Sequence, residues 1–240
     1  MKKRLDEILT ERKLVDSRNK AQALIMAGQV YVDGLRSDKS GRPTPVDAKI
    51  CIKELFPYVS RGALKLEKAF IEFNLDFKDM TVCDIGSSTG GFTDFALQNA
   101  AKKVYAIDVG TGQLAQKIRE DARVIVMEKT DFRNVGSLED RIDIFICDVS
   151  FISLKNIIPQ IKILADKNSQ IVLLIKPQFE AGVKDVSKGK GIIRDEGLRL
   201  EIVEEIKDFS KQHGFTVSGL VESPITGAKG NVEYLLHLMV

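Results

Sequence analysis

Long apolar runs, paired cysteines and an excess of either charge are what this 240-residue sequence has least of. The longest apolar stretches, "IVLLI" and "YLLHLMV", fall far short of the roughly 20 residues a membrane-spanning helix needs. The three cysteines, Cys51, Cys83 and Cys147, share no disulfide or metal-ligand spacing. Cys83 and Cys147 lie in apolar strand-like runs, where a thiol acts as a small hydrophobe. A disulfide scaffold is excluded, no metal is expected, and a reducing cytoplasm is the expected compartment. The opening "MKKRLDEILTERK" starts basic, but acids interrupt it and no apolar segment follows, so it does not read as a signal peptide. The two histidines, His213 and His237, have no partner at useful spacing and receive no role. Net charge is only +2, so no global field announces a polyanionic partner. The distribution is less even: residues 1–60 carry 12 Lys/Arg against 8 Asp/Glu, a mildly basic front end on a balanced body.

What is present is a composition for a full-sized core, 44% hydrophobic and 29% charged. The first 56 residues follow their own pattern. Leu5, Ile8, Leu9 and Leu14 recur at helical spacing. In "VDSRNKAQALIMAGQVYVDG", Ser17 is placed to cap a second helix, Ala21, Leu24 and Ile25 form its inner face, and Gly28 suits the position just past its end. "QVYVDG" alternates as a short strand turning at Asp33-Gly34, "LRSDKSGRPTP" reads as a loop, and "AKICIK" as a second strand. Pro57 interrupts propagation, and Ser60 is placed to cap a helix with Ala63, Leu64, Leu66, Ala69 and Phe70 on its apolar side. These signals divide the chain into a small domain at 1–56, a linker at 57–60 and a larger domain at 61–240.

In the larger domain strands and helices alternate. Strands are expected at 81–85, 103–108, 123–127, 142–148, 170–176, 215–222 and 231–239. Helices are expected near 92–100, 113–120, 154–164 and 196–212. "IDIFICDV" and "QIVLLIK" are nearly continuous apolar runs, as parallel strands covered on both faces require. The fold class is α/β, a doubly wound and mostly parallel sheet, with the last two strands pairing antiparallel at one edge.

The stretch "TVCDIGSSTGGFTDFAL" is strand, glycine turn and helix start. A dinucleotide fingerprint, G-x-G-x-x-G from Gly86, would need glycine where Ser88 stands. The pattern is instead Asp84-x-Gly86-x-x-x-Gly90-x-Phe92, with Asp108 ending the next strand. Asp148 and Lys176 end two later strands, and strand ends of such sheets converge on the ligand crevice. A lysine there is costly unless paired, and Asp148 is its natural partner, as a structural ion pair or as part of a site. Phe92, Phe151 and Phe179 are candidates for stacking on a base or for core packing.

Several of these motifs resemble known families. Arg4-Leu5-Asp6, Leu9, Ser17-Arg18, Ala21, Ile25, Gly28, Val30, Val32, Asp33-Gly34 and Lys39 resemble the S4 RNA-binding domain. That resemblance implies phosphate contacts from Arg4, Arg18 and Lys39, with Lys20 a weaker addition. The glycine turn resembles motif I of S-adenosylmethionine methyltransferases. It implies a cofactor site of Asp84, Gly86, Ser87, Ser88, Gly90, Gly91, Phe92, Asp108, Asp131 and Asp148, with Asp108 on the ribose hydroxyls and Asp131 near the adenine.

Lys65, Asp148, Lys176 and Glu233, in that order, resemble the catalytic tetrad of FtsJ-like RNA 2′-O-methyltransferases. With "YVSRGALKL", "DIGSSTGGFTD", "CDVSFISL", "IKPQFEAG" and "GNVEYLL", the whole chain resembles the TlyA family of rRNA cytidine-2′-O-methyltransferases, also known as haemolysin A. This implies S-adenosylmethionine as cofactor and ribosomal RNA, within a ribosomal subunit, as partner. The implied target is 23S rRNA, with 16S rRNA a further target in longer members. Lys176 would contact the 2′-OH as base or orienting group. Lys65 would lie beside it, with Asp148 and Glu233 fixing its position. Arg61, Arg133, Lys184, Lys188, Lys190 and Arg194 would contact RNA beside the site. The alternatives are a secreted or membrane-active haemolysin and a non-catalytic RNA-binding protein.

Overall fold

The computed structural model describes residues 2–53, 56–182, 186–187 and 189–240. The chain divides into two compact units, Met1–Pro57 and Tyr58–Val240.

The first unit runs β1 (Lys2–Arg4), α1 (Leu5–Glu11), α2 (Arg18–Met26), β2 (Val30–Val32), β3 (Leu35–Arg36), β4 (Pro43–Pro45) and β5 (Ile50–Ile52). Ser17 caps α2, its Oγ accepting from the Lys20 N–H at 3.3 Å. The turn at Asp33-Gly34, with both φ angles positive, joins β2 directly to β3. The segment read as a plain loop after Gly34 therefore supplies β3, and then β4, which pairs antiparallel with β1. Leu5, Leu9, Ala21, Ile25, Val30 and Val32 close a small core between helices and sheet.

Asp6 is fully buried yet charged. Its carboxylate accepts from Arg4 (Nε and Nη2, 3.0 Å each), Arg18 Nε (3.1 Å) and Gln22 Nε2 (2.8 Å). The Arg4 hydrogen bond, helped by Gln22 and Arg18, holds the carboxyl well below the ordinary carboxylate range against the opposing effect of burial.

The second unit is a seven-stranded sheet, with β6 (Thr81–Ile85), β7 (Lys103–Ile107), β8 (Val124–Met127), β9 (Ile142–Cys147), β10 (Ala165–Ile175), β11 (Thr216–Glu222) and β12 (Tyr234–Met239) in the order β11-β12-β10-β9-β6-β7-β8. The pairs from β10 through β9, β6 and β7 to β8 are parallel, while β12 runs antiparallel to both β10 and β11. The last strand is thus inserted inside the sheet, and β11 takes the edge. Helices α3 (Ala63–Glu72), α4 (Gly91–Gln98), α5 (Gln116–Arg119), α6 (Ile158–Leu164), α7 (Pro177–Glu180) and α8 (Glu196–Gln212) complete the unit. Side chains alternate between two cores: Cys83, Ile85, Phe145 and Leu173 serve one face of the sheet, and Val82, Ile144, Ile146 and Val172 the other. Ser60 does not cap α3. Gly62 stands at the cap position, and the Val59 N–H goes to Asp94 Oδ2 at 2.8 Å.

Because the folded pKa of Asp6 is depressed, its stabilisation is present above the unfolded value near pH 4 and is lost as acid protonates it. Asp6→Ala should destabilise the protein by about 1–3 kcal/mol at pH 7 through its lost hydrogen bonds, and by less as the pH falls, measured by denaturant unfolding.

Candidate active site

Strand topology brings the candidate residues to one end of the sheet. The Asp148 N–H bonds to Ile85 O at 3.0 Å, setting the end of β9 against the turn after β6. A Cβ on Gly86, whose φ is +84°, would lie 2.8 Å from the Asp148 carbonyl oxygen, so only glycine lets the two strand ends approach so closely. Antiparallel β12 does the rest. Its Tyr234 pairs with Ile175, so Glu233 enters beside the end of β10, where Lys176 leaves it.

Lys65, from α3, donates to Glu233 Oε2 at 2.7 Å and reaches Asp148 Oδ2 at 3.5 Å. Lys176 Nζ lies 2.6 Å from Asp148 Oδ1 and donates to Ser150 Oγ at 2.8 Å. Glu233 Oε1 accepts from Gln178 Nε2 at 3.3 Å. A Cβ on Gly227 would overlap that same Oε1, so the turn before β12 is shaped around the carboxylate. The four residues predicted as a set therefore converge, joined by Ser150 and Gln178, which carry no motif spacing of their own. The Gln178 carbonyl oxygen is buried with no partner among the described residues.

These side chains line a cavity of about 330 Å³ with Ser60, Phe92, Phe151 and Phe179. A second cavity, about 570 Å³, is lined by Asp108, Val109, Gln113, Asp131, Phe132, Arg133 and Ile152. Both are walled by Gly86, Ser88, Asp148, Ser150 and Phe151, so they adjoin. Asp108 accepts from the backbone N–H groups of Ser88 (2.8 Å) and Gly110 (2.7 Å), which fixes it at the mouth of β7. Ser87, Gly90, Gly91 and Phe92 carry the turn into α4, and Phe92 is also core. The Phe151 ring is 90% exposed on a left-handed backbone (φ 62°) and packs on Phe179 with centroids 4.9 Å apart.

Three expectations meet a different arrangement. Asp84 lines neither cavity. It is fully buried, one oxygen accepts from Thr93 Oγ1 at 2.6 Å, and the other has no partner among the described residues. Strand parity accounts for this, since Asp84 shares the α4-facing side of β6 with Val82. Arg133, expected on RNA, forks onto Asp131 through Nε and Nη2 and walls the larger cavity. Lys184 and Lys188 lie outside the described residues. Arg61, Lys190 and Arg194 are exposed, and none of them lines either cavity. In the first unit, Arg4 and Arg18 are half-exposed on Asp6, Lys20 pairs with exposed Asp16, and Lys39 is exposed.

A parallel sheet with one antiparallel strand inserted beside its edge, and a glycine turn facing an acidic strand end, is the framework of a Rossmann-like methyltransferase. The chain belongs to the FtsJ-like methyltransferase family, whose model matches residues 58–239, and an S4 domain matches residues 3–44. It is 48% identical to a proposed rRNA methyltransferase of Bacillus subtilis, YqxC, across 99% of this chain and 85% of that protein. It is 38% identical to the 16S/23S rRNA (cytidine-2′-O)-methyltransferase TlyA of Mycobacterium tuberculosis, across 98% and 89%. A solved structure of a proposed hemolysin from Streptococcus thermophilus superposes with a TM-score of 0.75 at 44% identity, covering 99% of this chain and 88% of that one.

Burial pushes the Asp84 carboxyl up to about 7, Asp148 adding to the rise and the Thr93 hydrogen bond opposing it. A raised folded pKa stabilises below the unfolded value, and that stability is lost as pH rises through about 7. The wild-type protein should therefore lose melting temperature between about pH 4 and 7. Asp84→Asn, which cannot ionise, should flatten that slope in thermal melts across the range.

Proposed function

We propose that the chain transfers a methyl group from S-adenosylmethionine to the ribose 2′-hydroxyl of a cytidine in ribosomal RNA. The observation that carries this reading is the convergence of Lys65, Asp148, Lys176 and Glu233 on a cavity that shares a wall with the glycine-turn groove.

The larger cavity fits the cofactor by its donor set. Asp108 suits ribose hydroxyls, and Val109, Phe132 and Ile152 suit an adenine. A dinucleotide would bring its phosphates against Asp108 and Asp131, answered only by Arg133, which Asp131 already engages. Gly86 leaves open the space a Cβ would fill. When bound there, the cofactor supplies an electrophilic methyl group.

The remaining demands fall on the chain. A 2′-OH is a weak nucleophile at neutral pH, so it must be aligned and its proton accommodated as it reacts. Lys176, fixed by Asp148 and Ser150, orients the hydroxyl and, once its ammonium has given one proton to solvent, takes the hydroxyl proton as the methyl is transferred. Lys65 and Glu233 hold the ribose beneath it. Phe151 and Phe179 offer an aromatic face to a base turned out of its helix, the usual way a protein presents one nucleotide to a pocket. In the S4 domain, Arg4 and Arg18 present half-exposed guanidinium groups to phosphates, fixing location without reading sequence. The names of the B. subtilis and M. tuberculosis relatives support the RNA substrate, and the second supports the cytidine and the 2′-oxygen. The ribosomal subunit is the proposed context and the cytoplasm the proposed compartment. Among the described residues, no helix is long and apolar enough to cross a membrane.

Mapping 2′-O-methylation across 16S and 23S rRNA, with and without the gene, tests the reading. A cytidine mark should vanish on deletion, return with the wild-type gene and stay absent with Lys176→Ala. That variant should lose at least about 100-fold in rate, as removal of a proton-transfer group does. Calorimetry should show its cofactor affinity nearly unchanged. An unaltered methylation map, or normal turnover by Lys176→Ala, would sink the proposal.

A further inference from the structure

The turn after Lys176 spreads its side chains over three walls of the site. Gln178 reaches Glu233, Phe179 meets Phe151, and Glu180 crosses to the segment that follows β9. Glu180 Oε2 accepts from Ser153 Oγ at 2.5 Å, and its Oε1 accepts from the Leu154 N–H at 2.8 Å. Among the described residues no cation pairs with it, because nearby Lys155 engages Glu205 at 2.9 Å. A half-buried carboxylate held only by neutral donors is an expensive way to join two loops. Burial pushes its carboxyl upward, so the charge opposes folding rather than helping it.

What it secures is the segment that carries Ser150 and Phe151. Phe151 is 90% exposed, so packing does little to fix the ring, and its backbone sits in the left-handed region that non-glycine residues avoid. The two bonds from Glu180 fall two and three residues beyond Phe151, on the far side from the Lys176–Asp148 contact. The segment is thereby pinned at both ends.

We propose that Glu180 is a positioning residue: it staples the two strand-end segments so that Phe151 and Phe179 form one base-holding surface. The words "base-holding" rest on the function proposed above; the staple itself does not.

The test uses the full-length protein with Glu180→Ala and Glu180→Gln. Glutamine keeps both contacts, its carbonyl accepting from the Leu154 N–H and its amide donating to Ser153 Oγ. Glu180→Ala should raise KM for RNA about tenfold, with kcat and cofactor affinity changed less than about twofold, and Glu180→Gln should behave as wild type. In a Phe151→Ala background the same alanine change should cost almost nothing, because the two act through one surface. Hydrogen exchange supplies a readout free of activity: amides of 149–156 should exchange faster in Glu180→Ala and not in Glu180→Gln. If Glu180→Ala does not fold, Ser153→Ala removes one of the two contacts and should shift exchange in the same direction. Unchanged exchange, or losses that add fully in the double variant, would overturn the staple. A wild-type protein that leaves RNA unmethylated would instead overturn the function while the exchange result still decides this point.

Discussion

One carboxylate shared by two ammonium groups organises the catalytic unit. Asp148 gives one oxygen to Lys176 and the other to Lys65, and Lys65 passes the connection on to Glu233. Ionised groups taken out of water cost several kcal/mol each unless partners and hydrogen bonds offset it. This cluster balances two positive against two negative side chains and adds Ser150 and Gln178 as neutral partners. Removing one charge leaves another uncompensated, a loss on the order of 3–5 kcal/mol for a buried pair. Glu233 is almost wholly buried, while the Asp148 side chain keeps about a fifth of its surface exposed. The open edge of the cluster is therefore the one shared with the larger cavity.

Much of this arrangement was readable from residue order alone. Parallel strands buried on both faces print as unbroken apolar runs, and their last residues are necessarily neighbours at one end of the sheet. Asp108, Asp148 and Lys176 announce themselves that way. Other features leave weaker traces. The run "YLLHLMV" says strand but not which neighbours it has, so the placement of β12 between β10 and β11 is a tertiary outcome. Ser150, Gln178 and Glu180 are ordinary polar residues beside a motif, and only the folded chain shows that each closes a bond across the crevice. Asp84 could have been placed by counting: it is two residues from core-facing Val82 and so faces the same helix. Arg133 likewise stands two residues from Asp131, close enough to claim it locally.

The first unit solves a related problem with fewer residues. Its core is small, and a buried Asp6 occupies space that a hydrophobe could fill. In exchange the carboxylate orients two arginines that would otherwise wander on long flexible stems, leaving each about half exposed. Preordered guanidinium groups lose less freedom when they meet a polyanion, which is the thermodynamic advantage of holding them on an internal anchor.

The late strand also constrains how the second unit assembles. β12 pairs with β11, its neighbour in the chain, on one side and on the other with β10, across the intervening α8 and β11. Pairings this distant in sequence are slow to form because the loop must close before the contacts reward it. Glu233 rides in with that strand. A sheet that lacks β12 thus lacks Glu233, and the Lys65 ammonium is without its 2.7 Å partner until that strand is seated.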